Sequence, residues 1–152
     1  MAVFYSFHYD KDNWRVQQIR NIGIVENTGA IAAQEWEEVR YNTDAAIRNW
    51  INNQMAYKRA VVVLIGSQTA SRRWVQYEIQ RAWDLKKPLL GIRIHGLKDC
   101  FGRISSSGDN PFDQFDYRQV PVFDPAGYDS TTKYADIRRN LTTWVTQGYR
   151  RP

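Results

Sequence analysis

Apolar residues follow two rhythms along this chain. One is the short unbroken run: residues 60–65 read AVVVLI before Gly66, and residues 89–94 read LLGIRI between Pro88 and His95. Runs with no polar face to turn toward water predict strands covered on both sides, as at the centre of a parallel sheet. Residues 2–7 (AVFYSF) predict a first strand. The other rhythm is helical. Thr43 and Asp44 can cap a helix whose apolar positions Ile47, Trp50, Ile51 and Met55 recur every three or four residues. Ser71 is placed to cap a second helix carrying Val75, Ile79 and Ala82. Tyr134, Ile137, Leu141, Trp144 and Val145 form the stripe of a terminal helix, with Arg138, Arg139 and Asn140 turned away.

Strand, helix, helix, strand, helix, strand, loop, helix is the order of an open α/β fold. The expectation is a single doubly wound, flavodoxin-like domain over residues 1–152, with a central, mainly parallel sheet flanked by helices. Residues 96–121, with Ser105, Ser106, Ser107, Gly108 and Pro111, predict a long loop, because helical spacing resumes beyond them.

Composition narrows the function classes. A chain of 152 residues can bury a core without disulfides or structural metal, and its single cysteine, Cys100, fits a reducing compartment, so cytoplasm is the expected location. The net charge of +5 is spread along the sequence, which gives no particular support to nucleic-acid binding. The longest apolar run falls far short of the roughly 20 residues that span a bilayer, and the N-terminus reads as no export signal. Phosphate-binding glycine loops, the dinucleotide fingerprint and the Gly-x-Ser-x-Gly elbow are missing. His8, His95 and Cys100 are too few and too scattered to predict a metal site.

The stretch SQTASRRWVQYEI, residues 67–79, carries the candidate chemistry. At about 100° per residue, Glu78 falls about 60° from the centre of the stripe formed by Val75, Ile79 and Ala82. An ionised carboxylate there is costly unless paired or opened to a cleft. Two readings follow: an ion pair with Arg81 or Arg20, or a catalytic carboxylate at the carboxyl edge of the sheet, where open α/β folds bind ligands. Trp74, one turn earlier, either stacks on a planar ligand or fills the core. The opposite lip would be formed by Ser6, Phe7, His8 and Tyr9 at the end of the first strand.

These residues also carry a family resemblance. VFYSFHYDKD resembles the opening strand and loop of Toll/interleukin-1 receptor (TIR) domains, and GSQTASRRWVQYEI their serine-rich loop and Trp-x-x-x-Glu helix. SFHY, LIGSQT, RRWVQYEI and GDNPFD together resemble the bacterial TIR-like ThsB proteins of the Thoeris antiphage system, over residues 4–113. The resemblance implies an enzyme that cleaves the nicotinamide–ribose bond of NAD and makes a cyclic ADP-ribose isomer. That diffusible signal would activate an effector protein, with an unidentified phage activator upstream. NAD would be substrate, with no cofactor and no metal. Glu78 matches the catalytic glutamate; Trp74, Phe7 and His8 match substrate-binding positions, with Ser6 and Ser67 as weaker transfers. Residues 27–42, which contain Gln34, Glu35, Trp36, Glu37 and Glu38, lack the Arg-Asp-x-x-Pro-Gly loop of receptor-type TIR domains, so receptor-style assembly is not implied and homo-oligomerisation stays open. The alternatives are a non-catalytic TIR adaptor and a nucleoside deoxyribosyltransferase-like enzyme.

Overall fold

The computed structural model describes residues 2–22, 39 and 41–152. Among these, four parallel strands form one sheet in the order β1 (Val3–Ser6), β2 (Ala60–Ile65), β3 (Leu89–Arg93) and β4 (Val122–Phe123). Every residue of β2 is buried, as a run without a polar face requires. Side-chain alternation divides its contacts. Val62 and Leu64 join Val3, Tyr5, Leu90 and Ile92 on one face, while Val61, Val63 and Ile65 join Phe4 and Leu89 on the other.

Among the described residues two helices cover each face, so the domain is doubly wound. Val16 and Ile19 of α1 (Tyr9–Arg20) and Ile137, Leu141 and Val145 of α4 (Ser130–Thr146) close the first face. Ile47, Ile51 and Met55 of α2 (Asp44–Ala56), with Val75, Ile79 and Ala82 of α3 (Arg73–Asp84), close the second. Burying each of the larger side chains stabilises the fold by about 1.5–3 kcal/mol, the Ala82 methyl by less. Thr43 caps α2 as the sequence predicts, its side chain accepting from Ala46 N.

Two features depart from expectation. Ser71 does not cap α3: a 3-10 turn, Thr69–Ser71, intervenes, and the Ser71 hydroxyl donates back to Gln68 O. Arg72 takes the cap position without a side-chain bond, and Gln76 Nε2 ties the helix to the turn by donating to Ala70 O. The second departure is β4, directly after the predicted loop, where a pair of residues is too short to show a period. The loop itself is held from within. Asn110 Oδ1 accepts from Phe112 N, Phe112 is buried, and Arg93 Nη1 donates to Gly108 O at 2.7 Å.

Candidate active site

Strand parity decides what β1 presents at its carboxyl end. Phe4 belongs to the core on the α2–α3 face, so Ser6, two residues on, points the same way. The register Ser6↔Val63 fixes it beside the central strand. On α3, Glu78 lies next to Ile79 and three residues after Val75, both in that same core. The two elements bring the polar pair together: Ser6 Oγ donates to Glu78 Oε1 at 2.9 Å, with Ser6 0% and Glu78 6% exposed.

Neither cation weighed as a partner from the sequence, Arg81 or Arg20, forms an ion pair with Glu78 among the described residues. Burial pushes the Glu78 carboxyl up to about 8, opposed only by the Ser6 hydrogen bond. A buried acid whose sole support is a neutral hydroxyl is held mainly in its protonated form at neutral pH. A positive charge placed beside such an acid favours its carboxylate form.

The loop after β1 is organised around His8. Its Nδ1 accepts from Lys11 N at 3.3 Å as the N-cap of α1, which places the imidazole proton on Nε2. Burial holds His8 below the usual histidine range, and the charge of Arg72 adds to this. Arg72 immediately precedes α3, so the β1 loop and the start of α3 face one another. Phe7 follows the parity of Val3 and Tyr5, packs half-buried against the α1–α4 face, and meets Tyr9 at 6.3 Å between ring centroids. Trp74 is half-buried against the other core, edge-on to Tyr77 at 5.8 Å. Its ring also lies 4.6 Å beneath the guanidinium of Arg73, which pairs with Asp44 and so links α3 to α2.

Ser67 sits elsewhere on the same edge. It lines a cavity of about 300 Å³ with Lys11, Arg15, Asp99, Arg103 and Ser105, on the α1 side of the sheet. Ser6 and Glu78 thus meet at the end of β1, His8 faces Arg72 at the start of α3, and Trp74 lies one turn before Glu78 on the same helix, whereas Ser67 lies on the α1 side. A second polar cavity, of about 410 Å³, lies between the 3-10 turn and the loop, lined by Ser71, Gln76, Asp109, Asn110 and Asp113 among others. The assembly-loop region 27–42 lies largely outside the described residues.

Sequence reasoning missed the buried pair on the α1 side. Asp12 and Arg15, 1% and 3% exposed, bond through Asp12 Oδ1 and Arg15 Nη1 at 3.0 Å. Arg15 Nε and Nη2 also donate to the carbonyls of Leu97 and Arg103. The available signal was the spacing: 12, 15, 16 and 19 make one stripe, and its charged half occupies core positions. Gly66 belongs to the same arrangement. A Cβ there would stand 2.1 Å from Asp12 Oδ2, so only glycine leaves room for that carboxylate.

Comparison with known proteins identifies the family. A family model described as "Thoeris protein ThsB, TIR-like domain" matches residues 4–99, a span that contains every candidate site residue and ends before GDNPFD. A curated Bacillus cereus (strain MSX-D12) protein named "Putative cyclic ADP-D-ribose synthase ThsB1" is 39% identical over 121 residues, which is 76% of this chain. The chain spans 63% of that relative's length. With the model matched over more than half of its residues, the chain belongs to the ThsB family of TIR-like domains.

Proposed function

We propose that this protein consumes NAD, breaking the bond between nicotinamide and ribose with Glu78 as the catalytic carboxylate, and makes a cyclic ADP-ribose isomer that signals to an effector in antiphage defence. The observation that carries this reading is a buried carboxyl without a cationic partner among the described residues, held by Ser6 at the carboxyl end of β1. The name of the Bacillus cereus relative supports the product class.

The chemistry suits a lone acid. Nicotinamide leaves as a neutral base, so no acid has to protonate the leaving group. The bond breaks through an oxocarbenium-like state, whose positive charge a nearby carboxylate stabilises. The pyridinium of bound NAD supplies the charge that draws Glu78 toward its ionised form, and low local dielectric strengthens the attraction. The electron pair of the broken bond departs with nicotinamide. A nucleophilic atom from the adenosine end then takes C1′ and gives up its proton, which Glu78 can accept. Trp74 would stack on a planar part of the substrate, and Phe7 and His8 would border the nicotinamide. His8 would offer its Nε2 proton as a donor, and Ser67, on the α1 side, is given no role in this reading.

Incubating the protein with NAD, with and without extract from phage-infected cells, tests this directly by mass spectrometry. Nicotinamide and a product one water lighter than ADP-ribose are expected, and Glu78→Gln should lower their formation at least 100-fold while the fold persists. Absence of turnover in every condition, together with capture of a TIR partner, would establish an adaptor instead. Exchange of bases on deoxynucleosides would establish a transferase.

A further inference from the structure

We propose that Ser6 is a positioning residue for this reaction: its hydroxyl fixes the Glu78 carboxylate against the sheet and acts through that carboxylate rather than on the substrate. The inference rests on the catalytic reading of Glu78. Ser6 is the last residue of β1, its backbone is held in register with Val63, and it is wholly buried, so its side chain has little freedom. Its hydroxyl donates to Oε1 of a carboxyl that is itself 6% exposed, whereas Ser6 is 0% exposed.

No charged group competes for this role among the described residues. The strand β2 has no titratable side chain. Tyr5 occupies the other face of β1, and Arg93 at the end of β3 is bound to Gly108 O. On α2 and at the start of α3, Asp44 and Arg73 pair with each other. His8, Arg48, Arg72, Tyr77, Arg81 and Asp84 are the other titratable groups nearby, with Tyr117, Tyr149 and Arg151 packed against the far end of α3, and among the described residues only burial and Ser6 shift Glu78. A hydrogen bond donated to the ionised form favours that form. Removing it therefore leaves Glu78 harder to ionise and free to leave its rotamer.

The test is Ser6→Ala beside Ser6→Thr, each checked for an unchanged melting profile. The Glu78 carboxyl is titrated by carbon-13 NMR without substrate, and kcat and KM for NAD are followed against pH. In Ser6→Ala the carboxyl midpoint should rise by about one pH unit, as expected for a lost charge-assisted bond. At pH 7, kcat should fall about tenfold with KM unchanged, recovering at alkaline pH, and Ser6→Thr should restore both readings. An unmoved midpoint, or a raised KM with kcat intact, would overturn the proposal. The titration does not depend on turnover. An inactive wild type with a shifted midpoint would thus sink the NAD reading while leaving the Ser6–Glu78 link measured.

Discussion

The two sides of the sheet's carboxyl edge each bury an acid, and they treat it in opposite ways. On the α1 side, Asp12 has its own arginine, one helical turn away, and Arg15 in turn satisfies the carbonyls of Leu97 and Arg103. On the α3 side, Glu78 has, among the described residues, only the hydroxyl of Ser6. Burial raises both carboxyls, but at Asp12 the guanidinium opposes the rise through charge and hydrogen bonding. The contrast teaches how to read a buried acid. One with a dedicated cation fastens elements together; one without stores unfavourable desolvation that a cationic ligand can relieve.

The comparison breaks most visibly at Asp12. Asp12→Ala should cost about 3–5 kcal/mol in chemical denaturation, because it strands the Arg15 charge in the interior. Activity per folded molecule should stay at the wild-type level. Loss of turnover in molecules that still fold would place Asp12 in the reaction and dissolve the distinction. Gly66→Ala should cost less, about 1–3 kcal/mol, as the new methyl forces the Asp12 carboxylate aside. Wild-type stability in that variant would show that the carboxylate is not fixed over Gly66. Trp74→Ala sharpens the other side with the smallest effect on stability, about 1–2 kcal/mol for a half-buried ring. Turnover of NAD should fall about tenfold or more. A variant that melts early but retains full kcat/KM would assign Trp74 to packing alone.

Legibility in the sequence followed the strength of each local signal. The runs at 60–65 and 89–94 and the stripes of α2, α3 and α4 were visible because each repeats one period over several residues. Glu78 was visible for the complementary reason, a charge inside an apolar stripe. The start of α3 was misread because Ser71 has the chemistry of a cap, and only the 3-10 turn shows that its hydroxyl is directed backward. Ser6 was read as a substrate contact; which neighbour its hydroxyl finds depends on bringing together residues 72 positions apart. Asp12 and Arg15 look like an ordinary surface pair at i,i+3 until the packing of the 97–103 segment covers them.

The central claim, that Glu78 is buried without a cation among the described residues, has a direct thermodynamic readout. A carboxyl whose folded midpoint is raised binds its proton more tightly in the native state than in the unfolded chain. Its stabilising contribution is therefore complete below the unfolded value of about 4.5 and is lost as pH rises toward about 8. Glu78→Gln keeps an acceptor for Ser6 but has no proton to lose. Unfolding free energies of wild type and Glu78→Gln, measured from pH 4 to 9, should therefore diverge, with the variant becoming progressively the more stable above pH 5 and the gap levelling near pH 8. Parallel curves across that range would mean that Glu78 is paired or solvated in the folded protein, contradicting the account.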